Sequence, residues 1–257
     1  MRSSWNIMCT SVHALFLREL KTRFGEYRLG YLWALLEPVL QMAVMLAIMG
    51  YLMHRVMPDI SFPVFFVCGI VPYSLFSNIA TRSLNAIEAN RGLFSYRPVH
   101  PVDAMLARSL LECLVQGGCF VVLMAGLWLL GEPMRIDNIP VLLAIWMALA
   151  LLSQGVGFTF MVLGHAFKAA DKILPLLVRP LYFASGVMFS LHVFPPEFRY
   201  LVDWNPLLHA FELMRHAVSP NYPLYDISLS YLWLWALSSL LIGLLLYKAR
   251  EPAILRS

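Results

Sequence analysis

Apolar residues run on through this chain with little polar interruption, and six of the runs are long enough to be membrane-crossing helices. A spanning helix needs about 20 mainly apolar residues. The runs lie near 32–53, 62–83, 104–130, 139–163, 172–193 and 229–247. A bilayer core offers backbone amides no water, so each must bond within its own segment or in a closed barrel. Barrel strands would show short alternating stretches, and these runs are continuous, which predicts helices. The expected fold is all-α, a single integral membrane domain over 1–257 with six transmembrane helices.

Three segments depart from that pattern. Trp5, Met8, Val12, Phe16 and Leu20 recur at spacings of three and four, which places them on one helical face. Arg18, Lys21 and Arg23 follow at the far end, so 4–28 reads as an amphipathic helix in the membrane interface with its cations near lipid phosphates. A cytosolic helix packed on a partner is the alternative. The loop 84–103 can be helical up to Gly92, after which Pro98 and Pro101 prevent continuation. That short helix, with Phe94 and Tyr96 beyond it, suits docking onto another protein, or forms a plain connector. Residues 194–228 are too apolar for a solvated loop, and prolines divide them into two short helices, 197–204 and 207–218. Their apolar faces need cover, so they are expected to dip back toward the membrane or cap the protein's outer side. Trp204, Tyr222 and Tyr225 suit the headgroup layer. The fifth run holds Pro175, Pro180 and later Gly186, the marks of a kinked helix that lines a buried path or is simply bent.

Composition supports the membrane assignment, because 60% of the 257 residues are apolar and only 13% charged, against roughly 25% charged in soluble proteins. The net charge of +4 matters less than its distribution. With the N-terminus inside, 15 of the 19 Lys and Arg fall in inner segments, leaving Arg55, Arg135, Arg199 and Arg215 outside. That bias places both termini in the cytoplasm. Residues 1–31 lack the compact apolar core and small-residue cleavage site of a signal peptide. No nucleic-acid partner is expected.

Catalytic chemistry is thin. There is no GxxxxGK(S/T) phosphate loop, and Gly155, Gly157 and Gly164 lie in an apolar helix, so ATP hydrolysis by this chain alone is not expected. The seven histidines form no HExxH pattern; His209, Glu212 and His216 on one face are a slender metal or acid–base candidate, more simply a polar helix face. No metal and no bound cofactor are expected. Cys9, Cys68, Cys113 and Cys119 make no CxxC pair and read as small apolar residues. Two carboxylates fall inside spans, Glu37 and Glu112, both within about two turns of the inner boundary. They either face a water-filled inner vestibule or pair with a nearby arginine.

Two runs are more specific. Leu15 to Phe24 (LFLRELKTRF) and Leu29 to Pro38 (LGYLWALLEP) resemble the start of polysaccharide-exporting ABC-2-type permeases. Asn205-Pro206-Leu207, followed by Glu212 and Arg215, resembles that family's second hallmark. Ala86 to Asn90 (AIEAN), with Gly92-Leu93-Phe94 and Tyr96 to Val99 (YRPV), is similar to one branch, the group 2 (Kps-type) capsular polysaccharide exporters of Gram-negative bacteria. The resemblance covers essentially the whole chain. It implies an ABC-2 (type V) permease architecture, acting as a homodimer in the inner membrane with two separate ABC ATPase subunits that hold the ATP and Mg. It further implies lipid-anchored acidic capsular polysaccharide as cargo and a periplasmic adaptor and outer-membrane proteins beyond. The ATPase-coupling residues would be Glu88, Arg91, Phe94, Tyr96 and Arg97 in the 84–103 loop, with Lys168 and Asp171 in a second loop at 165–172. Re-entrant helices would form an outer gate with Pro195, Pro196, Trp204, Asn205, Pro206, Glu212 and Arg215.

The expected action is by shape and electrostatics. Arg18, Lys21, Arg23 and Arg82 would draw an anionic headgroup and an acidic polymer to the inner mouth. Trp33, Tyr73, Phe76, Tyr182 and Phe183, with Glu37, are path candidates, because sugar C–H faces pack loosely on aromatic rings. Rival readings are export of O-antigen, teichoic acid or another lipid-linked glycan, and a membrane enzyme acting on lipid-linked sugars.

Overall fold

A computed structural model describes residues 4–24, 30–52, 60–93, 100–191 and 196–256. Their regular secondary structure is helical: α1 (Ser4–Phe24), α2 (Gly30–Leu52), α3 (Phe62–Ser83), α4 (Pro101–Leu129), α5 (Ile139–Ala166), α6 (Ala170–Ala184), α7 (Pro206–Val218) and α8 (Leu229–Arg256). Short 3-10 turns lie at Glu88–Leu93 and Pro196–Leu201.

Among the described residues, four helices are long and apolar enough to cross a membrane: Phe62–Ser83, Pro101–Leu129, Ile139–Ala166 and Leu229–Ile254. Their starts follow from local chemistry. Proline opens α3, α4, α5 and α7, where its missing N–H costs nothing. Asn138 and Asn205 cap α5 and α7 by accepting from Val141 N–H and Leu207 N–H. At the head of α4, the His100 N–H donates to the Asp103 carboxylate at 3.1 Å.

The other two expected spans take different forms. α2 has 23 residues around Pro38, with Pro38–Ile48 its apolar stretch. α6 has 15 residues, about 22 Å of helix against a hydrocarbon core of ~30 Å. It stops at Ala184 instead of continuing to 193, because Gly186 turns the chain with a φ of +69°.

α3 is the centre of the bundle. Val64, Phe65, Phe66, Val71 and Leu75 are fully buried in it. Lipid gives apolar helices no reason to leave it, so association depends on close packing of small residues. α5 supplies these. A Cβ on Gly155 would stand 2.4 Å from the Leu240 backbone nitrogen of α8, and one on Gly164 would stand 2.7 Å from the Leu84 carbonyl. The opposite face of α8 turns Leu234, Leu237, Leu241 and Leu245 outward.

From Val12 onward the apolar stripe of α1 packs within the chain. Leu15, Val12 and Phe16 pack on Ala104 and Ala107, and Phe16 and Leu20 on Leu111 and Val115, so the stripe closes on α4 of the same chain. α7 is likewise covered from within, its residues from Leu207 through Arg215 all buried.

Candidate functional site

Polar side chains collect in two networks at opposite ends of the bundle. The first lies where α1, the end of α3, the Glu88–Leu93 turn and α4 meet. Glu112 of α4 is 2% exposed. Its carboxylate takes Arg23 Nη1 at 2.5 Å, Arg82 Nε at 3.2 Å and the Asn78 amide at 3.2 Å. One turn earlier on α4, Arg108 pairs with Glu19 at 2.9 Å and donates to the Arg82 carbonyl at 3.2 Å. Arg18 donates to the Asn90 side chain on the 3-10 turn, tying α1 to that turn. Among the described residues, four guanidiniums thus gather on two carboxylates, and they include three of the four cations expected at the inner mouth. Lys21 is exposed beside them. Of the two carboxylates singled out within spans, Glu112 is the paired one; the side chain of Glu37 lies outside the described residues.

Two cavities adjoin this cluster and share Arg23 and Arg82. One of about 230 Å³ opens toward Asn85, Ala89 and Arg108. The other, about 400 Å³, runs between α2, α3 and α4 past Gln41, Met42, Met45, Ser74, Asn78 and Gln116.

The second network is built by α7. Arg215 is 0% exposed. It donates to Glu212 at 2.7 Å, to the Gly186 and Val187 carbonyls at 2.7 and 3.3 Å, and to the Phe65 carbonyl at 3.4 Å. Its guanidinium carbon stands 3.5 Å over the Phe65 ring. A charge this deep survives because nearly every donor is used and a carboxylate balances it. The Gly186 and Val187 carbonyls are those left open where the chain breaks after α6, so Arg215 both caps that break and fastens it to α3. Tyr222 completes the network, its hydroxyl 2.9 Å from Glu212 and 2.5 Å from Ser190. Burial and the Glu212 carboxylate hold its phenol above the ordinary value.

One expectation changes here, and one slender candidate is not assembled. Tyr222, expected in the headgroup layer, is fully buried. His209, Glu212 and His216 do not converge. His209 bonds the Asp203 carbonyl at 2.8 Å and accepts from Ser228 N–H at 3.1 Å, while His216 bonds the Tyr222 carbonyl at 2.7 Å. Among the described residues no His, Cys, Asp and Glu group could hold a metal ion. Nearby, Asp203 keeps a buried carboxylate oxygen without a partner. Burial and the Asp226 charge push that carboxyl up, against His209 and Arg199, which pull it down.

Of the other outer-gate residues, Asn205 caps α7 and bonds Ser185 at 2.9 Å, which ties α7 to the end of α6. Pro206 follows it as the first residue of α7, and Pro196 opens the preceding 3-10 turn. Trp204 is exposed and donates to the Leu201 carbonyl. Pro195 lies outside the described residues.

Among the path candidates, Tyr73, Tyr182 and Phe183 form an aromatic ladder from α3 onto α6, with ring centroids 5.0 and 5.2 Å apart. Tyr73 is buried and donates to the Val178 carbonyl at 2.8 Å, whereas Phe183 at the ladder's end is exposed. Phe76 packs in the core and is closed off within a single copy; Trp33 is exposed on α2, apart from the ladder. Of the coupling candidates, Glu88, Arg91, Lys168 and Asp171 are exposed at the α1 end of the bundle, and Phe94, Tyr96 and Arg97 lie outside the described residues.

Sequence reasoning missed Glu19, Asn78, Asn90, Arg108, Ser190 and Gln116. Asn78, Arg108 and Gln116 carried a signal, each a strongly polar side chain in an apolar run.

A bundle of long apolar helices with buried charge networks at both ends is the build of a helical membrane protein. Residues 10–219 match the ABC-2 type transporter family, and the chain belongs to it. It is 50% identical over 256 residues to the Polysialic acid transport protein KpsM of Escherichia coli, covering 100% of this chain and 99% of that one. It is 26% identical over 237 residues to the capsule polysaccharide export inner-membrane protein BexB of Haemophilus influenzae, covering 92% and 89%. It is 28% identical over 205 residues to the capsule polysaccharide export inner-membrane protein CtrC of Neisseria meningitidis serogroup B, covering 79% and 77%. The chain is thus a transport permease and not an enzyme.

Proposed function

We propose that this chain is the membrane channel subunit of an ATP-driven exporter that moves lipid-anchored acidic capsular polysaccharide from cytoplasm to periplasm. The observation that carries the reading is end-to-end identity of 50% to a protein named for polysialic acid transport, an acidic polymer. The gathering of four guanidiniums at the α1 end suits such a cargo. In this reading α2 and α6 join the four long apolar helices to make six crossings, both termini face the cytoplasm, and the α7 end forms a re-entrant cap on the periplasmic side. Two copies form the channel. Two ATPase subunits bind ATP and Mg and push on the Glu88–Leu93 turn with Phe94, Tyr96 and Arg97, and on Lys168 and Asp171. A periplasmic adaptor and outer-membrane proteins continue the path.

Co-purification with an ABC ATPase subunit from the same cells, followed by ATPase assay with purified acidic capsular polymer, tests this. Hydrolysis stimulated severalfold by the acidic polymer, and little by a neutral O-antigen-type glycan, is expected. Equal stimulation by both would overturn the cargo, and catalytic turnover of lipid-linked sugar by the chain alone would overturn the class.

A further inference from the structure

A groove of about 750 Å³ runs between α4 and α5. The two helices follow one another in the chain, yet α5 packs chiefly on α8 and α3, so the pair parts along this length. Small residues make the recess. Gly117 and Ala150 line it, and a Cβ on Gly117 would meet nothing within 4 Å. Phe120 and Trp146, edge to face with centroids 5.4 Å apart, form part of its wall. From Cys113 to Trp128 it follows about 22 Å of helix, at 1.5 Å per residue, which exceeds the ~15 Å that one leaflet gives to the hydrocarbon core. Its volume falls inside the usual range of about 300–1,000 Å³ for ligand sites. A recess lined by apolar side chains and facing hydrocarbon forfeits dispersion contacts while it stands empty. One extended acyl chain has the shape that restores them.

The upper end of the groove carries charge. Met134 and Ile136 of the α4–α5 connection line it there. The Arg135 N–H between them donates to the Val218 carbonyl at 2.9 Å, which fixes the connection to the end of α7. Arg135 and Asp137, alternating with the two apolar residues, are exposed and pair at 2.7 Å. Glu132 adds a second carboxylate to the same connection. Trp128 is exposed at this rim, where an aromatic ring suits the headgroup layer. A rim with both signs of charge complements a zwitterionic head, whose phosphate takes the guanidinium and whose ammonium takes a carboxylate. A purely anionic head would meet the carboxylates with nothing to offer them.

We propose that this groove holds an acyl chain of one zwitterionic phospholipid of the phosphatidylethanolamine type, with the phosphate at Arg135 and the ammonium at Asp137 or Glu132. The lipid fills the gap between α4 and α5 as a side chain would in a water-soluble core. The groove shares no lining residue with the two cavities at the α1 end, so the inference stands apart from the cargo.

The test uses the full chain in detergent, titrated with phosphatidylethanolamine, phosphatidylglycerol and diacylglycerol of matched chains, and read by native mass spectrometry. Phosphatidylethanolamine is expected to bind about tenfold tighter than diacylglycerol, the size of one hydrogen bond to a charged group. It should bind about threefold tighter than phosphatidylglycerol, the size of one exposed ion pair. Arg135→Gln should remove most of the preference over diacylglycerol. Gly117→Phe fills the groove and should weaken all three lipids at least about tenfold. Its melting temperature without lipid should match wild type, because the new ring enters open space. Ala150→Leu reaches the same space from α5 and should weaken the three lipids alike, which keeps the test open if Gly117→Phe does not fold. Wild-type lipid affinity in a folded filling variant overturns the groove. Binding of phosphatidylethanolamine no tighter than phosphatidylglycerol or diacylglycerol overturns the zwitterionic head. Loss of a two-copy assembly in Gly117→Phe, with lipid still bound, overturns the lipid as occupant and gives the groove to a second copy.

Discussion

Arg215 shows how far a residue's role can lie from its count. In the sequence it is one of four cations assigned to the outer side, but it is 0% exposed and spends its charge on Glu212 and three backbone carbonyls. The motif around it was legible: Asn205 before Pro206 announces a capped helix start, and Glu212 and Arg215 at i, i+3 share a face. Its use was not legible, because Gly186, Val187 and Phe65 are brought there only by the break after α6. Replacing Arg215 with Gln should cost about 3–5 kcal/mol, the usual result of stranding one partner of a buried pair. Tyr222→Phe should cost less, about 1.5–3 kcal/mol, by removing the hydroxyl that bonds the Glu212 carboxylate and Ser190 while leaving the ion pair in place. Thermal unfolding in detergent checks both the size and the order; an Arg215→Gln protein as stable as wild type would mean that the pair does not hold α7 to α3.

Elements were legible to the extent that they follow from hydrophobic length. α3, α4, α5 and α8 begin within a few residues of the positions expected from the apolar runs, and in the first three a proline at the head of the run leaves few other starting points. α6 did not follow from length. Its run is long enough to cross, yet Gly186 ends the helix early, and the Arg215 and Asn205 donors make such a break tolerable in an apolar bundle. The stripe on α1 was correctly periodic, but periodicity says that a face is buried and not against what; the occupant is α4. Glycines on α5 read as ordinary small residues in the sequence, while in space Gly155 meets the α8 backbone with no room for a Cβ. Gly155→Leu should therefore separate α5 from α8 and cost about 1–3 kcal/mol or more through overpacking. The same change at Gly126, which has nothing within 4 Å of an added Cβ, should be close to neutral. Comparing the two melting temperatures isolates the close contact from the general effect of adding a leucine to an apolar helix.

At the scale of the whole molecule, α1 joins the parts that an ATPase would push to the parts that enclose the cavity. Its Arg18 holds Asn90 on the exposed 3-10 turn, its Glu19 holds Arg108, and its Arg23 holds Glu112, so one rigid helix spans the turn and α4. A displacement of the Glu88–Leu93 turn cannot leave α1 in place unless the Arg18–Asn90 bond breaks, and α1 cannot shift without carrying Arg23 and the cavity's cationic end. Arg18→Ala should accordingly uncouple the machine without dismantling it. Binding of the ATPase partner and its basal hydrolysis should persist, because Arg18 is not on the turn itself, while polymer export per ATP falls at least about fivefold, the lower end of typical coupling energies. Asn90→Asp keeps an acceptor and turns the contact into a charge-assisted one, so it should retain coupling. Arg91→Glu, an exposed change on the same turn, should instead reduce partner binding and leave export per bound complex near normal. Export and hydrolysis measured together in vesicles separate these outcomes, and normal coupling in Arg18→Ala would show that the push reaches α4 through Arg108 and the end of α3, with α1 only a passenger.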